Sequence, residues 1–115
     1  MPMPQEPLVI EDLPGSGHSL LRLTGPVTIS NLFEFQAKVR SNSAPKLILD
    51  LTGVPYMDSA GIGALVGAHV SHSKNGRSLG LVGVNERVFN ALKITRVDGF
   101  FKFHDSVAEA EKAAN

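Results

Sequence analysis

Residues 47–61 read Leu47-Ile48-Leu49-Asp50-Leu51-Thr52-Gly53-Val54-Pro55-Tyr56-Met57-Asp58-Ser59-Ala60-Gly61, and their reading decides the fold. Lys46 to Leu51 is a nearly unbroken aliphatic run that ends in a turn, the pattern of a strand buried on both faces and therefore central in its sheet. Beyond the turn, Ile62, Leu65, Val66, His69 and Val70 recur at helical spacing, with Ala60, Gly63 and Gly67 on an adjoining face. The spacing predicts a helix from about Ser59 to Ser73, closed by Asn75-Gly76. A strand thus delivers a small hydroxyl residue to the first turn of a helix. The leading N–H groups there have no intrahelical partner, and the aligned peptide dipoles favour negative charge, so an anion or a phosphoryl group is held at low cost.

Working outward from this stretch, Leu8-Val9-Ile10 reads as a short strand. Leu13-Pro14-Gly15-Ser16-Gly17 is dense in turn formers, and His18 to Thr24 reads as a second strand, so the two form an antiparallel hairpin. After Gly25-Pro26, Ser30 or Asn31 can cap a helix with apolar positions Leu32, Phe33, Phe35, Ala37 and Val39, which stops before Pro45. Downstream, Ser78 to Val84 is another buried-type strand and Asn85 caps a short helix through Leu92. Phe100-Phe101-Lys102-Phe103 forms a last strand, and Asp105 caps a terminal helix through Ala114. The order β-β-α-β-α-β-α-β-α predicts an α/β fold with a mixed central β-sheet, a hairpin at its start, then alternating α and β. Right-handed crossovers lay the helices on the sheet, and the Asp58-Ser59 turn falls at the carboxyl end of the central strand, where ligands and partners meet such sheets.

The chain has 115 residues, enough for one domain with a real core. Eleven Lys and Arg balance eleven Asp and Glu, so there is no basic field to neutralise a phosphate backbone, and direct nucleic-acid binding is not expected. No Cys is present, which removes disulfides, thiolate nucleophiles and Cys-ligated zinc and suits a reducing cytoplasm. The apolar run from Ile62 to Val70 is interrupted by His69 and far shorter than the roughly 20 residues of a membrane span. The stretch Met1-Pro2-Met3-Pro4-Gln5-Glu6-Pro7 lacks the basic start and apolar centre of a signal peptide, and its prolines favour an extended tail over residues 1–7.

Ser59 can act as an N-cap or as an exposed handle, and Asp58 can take the cap in its place. Gly61, Gly63 and Gly67 each cost roughly 1 kcal/mol relative to Ala in a helix interior, which close helix packing or a smooth docking surface would offset. His69 and His72 are spaced i, i+3, but no acidic ligand accompanies them, so they read as packed or solvated side chains and no metal site is expected. A serine-hydrolase elbow needs Gly two residues before the nucleophile, where this chain has Met57.

The strand followed by Asp58-Ser59-Ala60-Gly61-Ile62-Gly63 and Ala64-Leu65-Val66 resembles the signature of STAS domains, specifically the bacterial anti-sigma-factor antagonists, and the resemblance runs from about Gly25 to the C-terminus. It implies one STAS domain over residues 8–115, cytoplasmic, with neither catalytic activity nor a cofactor. Ser59 would be the phosphoacceptor of a partner that is at once anti-sigma factor and ATP-dependent serine kinase. Thr28, Asp58, Ala60, Gly61, Ile62 and Gly63 would form the partner-binding surface; the unphosphorylated form would bind this partner and free a sigma factor, and phosphate on Ser59 would end the binding. The family has an aspartate three residues after the glycine that ends its second strand; here Gly25 is followed by Pro26, Val27 and Thr28. Two other readings compete. One is a non-switching STAS subunit of a lipid-transport ATPase complex. The other is a phosphoreceiver domain, whose acidic pair Glu11-Asp12 resembles and whose phospho-aspartate loop Asp50, Pro55 and Asp58 resemble, with Asp50 as acceptor and Mg²⁺ as cofactor. In receivers the acidic pair leads directly into a helix, whereas Asp12 leads into turn residues and a second strand.

Overall fold

The computed structural model describes residues 7–15 and 17–113; residues 1–6 of the expected tail over 1–7, Ser16 of the first turn and the end of the terminal helix at Ala114 lie outside them. The strands are β1 (Val9–Pro14), β2 (Ser19–Thr24), β3 (Lys46–Gly53), β4 (Ser78–Val82) and β5 (Lys102–His104). The helices are α1 (Leu32–Ser41), α2 (Ser59–Lys74), α3 (Glu86–Ile94) and α4 (Val107–Lys112), with a 3-10 turn at Asp98–Phe100.

The sheet order is β1-β2-β3-β4-β5. β1 pairs antiparallel with β2, and every other neighbouring pair is parallel. The expected mixed sheet is therefore present, with the aliphatic strand β3 in the middle. No helix follows Asp12, as a receiver would require; the chain instead turns back along itself.

Strand alternation divides the apolar side chains between two layers. Leu47, Leu49 and Leu51 face one side, where they join Leu21, Leu23, Leu79 and Leu81 beneath Phe35 and Val39 of α1, Ile62 and Leu65 of α2, and Val88 and Leu92 of α3. Ile48 faces the other side with Leu20 and Val82, covered by Ala110 and Val107 of α4. The strand run reads as continuously apolar because both of its faces are covered, the condition inferred from the sequence.

Several local expectations are corrected. β1 extends through Leu13 and Pro14, which had the look of a turn, because an edge strand tolerates a residue without an N–H. Phe33 and Ala37 match helical spacing in α1, yet both are exposed and Leu32, Phe35 and Val39 carry the buried stripe. Phe100 and Phe101 precede the last strand, with Phe100 closing the 3-10 turn. Ser106, not Asp105, caps α4 by accepting a hydrogen bond from the Glu109 N–H at 3.1 Å. Asn85 caps α3 as expected, accepting from Val88 N–H at 2.8 Å. Gly76, at φ +69°, supplies the left-handed step after the Asn75 C-cap of α2.

Candidate functional site

The carboxyl end of β3 and the loop after it are sewn to the loop between β2 and α1. Gly25 N–H donates to the Gly53 carbonyl (2.9 Å), Val27 N–H to Tyr56 (3.3 Å), and Asp58 N–H back to Val27 (3.2 Å), while Val27 and Met57 form a parallel bridge. Asn31 closes the first loop on itself: its Oδ1 accepts from Thr28 N–H at 2.9 Å and its Nδ2 donates to the Pro26 carbonyl at 2.9 Å. Asn31 is thus spent on the loop and gives α1 no side-chain cap.

Asp58 joins the two loops to α2. Its Oδ1 accepts from Gly61 N–H at 2.8 Å, capping the helix, and its Oδ2 accepts from Ile29 N–H at 3.0 Å. The cap is therefore Asp58, and Ser59 is the first helical residue, exposed, with no described residue hydrogen-bonded to its hydroxyl. A carboxylate at this position also lies favourably in the helix dipole.

The glycines that follow serve different ends. A Cβ on Gly61 would strike the carbonyl oxygen of Val27, so α2 approaches the neighbouring loop as closely as it does only because this residue has no side chain. A Cβ on Gly63 or Gly67 would meet nothing within 4 Å. These two leave a smooth, open surface beside Ser59. Ala60 is half-buried, and Ile62 points inward with 8% exposure as part of the core, so of the docking residues read from sequence Gly61 and Ile62 lie behind the surface that Asp58, Ser59, Ala60 and Gly63 present. Thr28 joins them through the Ile29–Asp58 bond, and its Oγ1 lies 2.9 Å from Ser30 Oγ.

Sequence reading missed several neighbours of this surface. Ile29 is 63% exposed and Phe33 71% exposed, one turn apart at the start of α1. Arg87 stacks over the Tyr56 ring at 4.9 Å, and Asn85 Nδ2 donates to the carbonyls of Val54 and Pro55 at 3.2 Å, tying the start of α3 to the same loop. Nothing local in the sequence links these residues, which are about thirty positions apart.

Asp50 sits apart from this surface, on the α4 side of β3, and is buried. Burial raises its pKa, but the Thr52 hydroxyl (2.6 Å), the Thr52 N–H (3.1 Å) and Arg22 Nε (3.3 Å) outweigh burial and hold the carboxyl below its ordinary range. A carboxylate so engaged acts as a strut between β2 and β3. His72 is buried in the last turn of α2; its Nδ1 lies 3.2 Å from the Ala68 carbonyl and its Nε2 has no partner among the described residues. Burial pushes its pKa down. His69 instead stacks on Phe100 at 5.7 Å and meets Phe101 edge-on. The two histidines thus diverge, and the described residues contain no cluster able to hold a metal.

A mixed five-stranded sheet with a leading antiparallel hairpin, three helices on one face, and a carboxylate-capped serine turn at the carboxyl end of its central strand defines an α/β fold of the anti-sigma-antagonist type. A STAS domain family model matches residues 11–110, and the chain belongs to the STAS domain family. It is 31% identical over 68 residues to the anti-sigma-B factor antagonist of Staphylococcus aureus, a match spanning 59% of this chain and 63% of that protein. The chain thus spans about three fifths of the length of the relatives it matches in sequence. Among solved structures it resembles the Thermotoga maritima protein TM1081, described as a proposed anti-sigma factor antagonist, with a TM-score of 0.83, 26% identity, and coverage of 90% of this chain and 92% of that one. The unphosphorylated form of the Bacillus anti-sigma factor antagonist SpoIIAA shares the fold at a TM-score of 0.73 and 13% identity, covering 93% of this chain and 100% of that one, and SpoIIAA also has a solved phosphorylated form.

Proposed function

We propose that this protein is an anti-sigma-factor antagonist: its unmodified form binds an ATP-binding anti-sigma factor and serine kinase, a sigma factor is released, and phosphorylation of Ser59 ends the complex. The observation that carries this reading is the exposed Ser59 hydroxyl at the first position of α2, which has no hydrogen-bond partner among the described residues because Asp58 has taken the cap. The names of its relatives support the antagonist role.

The switch follows from charge. A phosphoserine adds about −1.5 to −2 charges in the middle of a surface made of Thr28, Asp58, Ala60 and Gly63. Within the folded domain the leading N–H groups of α2 tolerate that charge, whereas a partner that must bury it cannot. No refolding is needed. The protein itself contributes no catalytic group: Asp58 is occupied by two N–H donors and Asp50 by three donors, so the phosphoryl donor and the chemistry belong to the partner. In this reading the chain is a single STAS domain over residues 8–115, acts in the cytoplasm and needs no cofactor. Thr28 in place of the family's aspartate favours a second reading, a STAS subunit of a transport ATPase complex that does not switch.

Incubating the protein with its anti-sigma kinase and ATP, followed by peptide mapping, tests the assignment. An alkali-sensitive phosphoserine at Ser59 is expected. Phosphate on Asp50 would overturn it, and stable binding without any transfer would favour the non-switching subunit.

A further inference from the structure

The other end of α2 carries a feature that the Ser59 surface does not use. Val66, His69, Val70, Ser73 and Lys74 of α2 and Phe100 of the 3-10 turn line a groove of about 340 Å³, at the small end of the range for small-molecule sites. Val70 is 51% exposed and Phe100 53% exposed, so two large apolar side chains from different elements lie half in water along one open groove. Scattered exposed apolar residues are ordinary; two that line the same groove are informative.

The walls are held in place. Phe100 stacks on His69, which meets Phe101 edge-on, and Phe101 in turn lies edge-on to Phe103 at 6.4 Å, with Phe103 against Phe89 of α3. Phe101 belongs to the core, so this aromatic series anchors the exposed ring to the interior.

Charge defines what fits. Lys74 lies at the groove's end beside Ser73, and it is the one Lys or Arg in the sixteen residues of α2. It forms no ion pair among the described residues. An apolar slot that ends in an ammonium and a hydroxyl complements an aliphatic chain with an anionic head.

We propose that this groove binds a free single-chain aliphatic carboxylate, its chain between Val66, Val70 and Phe100 and its carboxylate on Lys74 and Ser73. The site is independent of Ser59, and its occupancy needs no phosphorylation.

Titrating the ¹⁵N-labelled protein with sodium decanoate below its micellar concentration, with 1-decanol and acetate in parallel, tests the proposal by NMR. Saturable shifts of the Val66, Val70, Ser73 and Phe100 amides are expected with decanoate, and none with acetate. Lys74→Gln should weaken decanoate about two- to fivefold, the order of loss for one exposed ion pair, and leave decanol unchanged. Val70→Gln, on an exposed position that tolerates it, should weaken both. Absence of saturable shifts, shifts centred on the Ser59 end, equal effects of Lys74→Gln on decanoate and decanol, or binding only to phosphatidylglycerol vesicles would each overturn it.

Discussion

At its start, α2 offers small residues to solvent and holds its first turn with a carboxylate borrowed from outside the helix; at its other end it buries a histidine and leaves Val70 on a groove wall. The residue types are similar at both ends, mostly Gly, Ala, Ser and aliphatic side chains. What differs is the neighbour. At the start lies the loop between β2 and α1, close enough that Gly61 admits no side chain. At the end lies the 3-10 turn, which presents aromatic rings. One helix can therefore carry a smooth exposed surface at one end and an open groove at the other because each is completed by a different distant segment.

The sharpest way to break the comparison is to charge the start of the helix. Ser59→Asp keeps an oxygen in the first turn but places a carboxylate where, in the proposed function, the partner would dock, and a penalty of about 3 kcal/mol lowers affinity on the order of a hundredfold. Ser59→Ala should bind nearly as the unmodified protein does and should melt at nearly the same temperature, since the cap resides on Asp58. Calorimetric titration into the anti-sigma factor, with melting curves alongside, checks both. Equal binding by the two folded variants would remove Ser59 from the interface.

The two glycines sharpen the contrast within a single turn. Gly61→Ala forces a methyl group against the Val27 carbonyl and should destabilise the fold by about 1–3 kcal/mol, as overpacking does. Gly63→Ala meets open space and should stabilise it by roughly 0.4–1 kcal/mol, because the unfolded chain loses freedom at no cost in contacts. Urea unfolding of the pair gives opposite signs; equal signs would mean that Val27 can yield.

Asp58 separates cap from clamp. Asp58→Ala should cost about 0.5–2 kcal/mol through the lost cap, and it also releases Ile29. Asp58→Asn can retain the bond from Gly61 N–H while giving up the one from Ile29 N–H. Hydrogen exchange should therefore quicken at the Ile29 amide in both variants and at the Gly61 amide only in Asp58→Ala.

The smallest effect belongs to the far end. Burial depresses the pKa of His72 below its ordinary 6.5, so the unfolded chain takes up the proton more readily than the folded one. The stability from keeping this imidazole neutral is fully present above about pH 6.5 and declines as pH falls from there through the folded value. Asp50 behaves likewise in a separate window that opens below its ordinary 3.8. Stability measured between pH 7 and 5 should fall less steeply for His72→Leu than for the unsubstituted protein, with the start of α2 indifferent to the change; an unchanged slope would show that His72 titrates as it does in the unfolded chain.

Much of this was legible in the residues themselves. Apolar runs and turn formers marked all five strands, the last of them two residues early, Asn85 announced its helix, Asn75-Gly76 closed α2, and Asp12 leading into turn formers rather than a helix separated the hairpin from a receiver topology. The less legible features have a common origin. Pro14 lies in a strand because that strand is at an edge; Phe33 fits the apolar pattern and still faces water because α1 packs through the stripe of Leu32, Phe35 and Val39, which Phe33 lies off. Ser106 outcompetes Asp105 as a cap by a local choice of one residue, within the reach of boundary error in any reading by pattern.

The sequence by itself determined the order of elements, the central place of Lys46 to Leu51 and the arrival of Asp58-Ser59 at a helix start, because periodicity, turn chemistry and capping act over a few neighbouring residues. Only the tertiary structure decided which of the two took the cap, since the Asp58 carboxylate is oriented by Ile29 as well as by Gly61. It alone decided that Gly61 is needed for close approach while Gly63 is open, and that Val70 and Phe100 line one groove. Each of these depends on segments about thirty residues apart meeting in space, and no local preference encodes that meeting; it emerges when the strands pair and the helices pack on them.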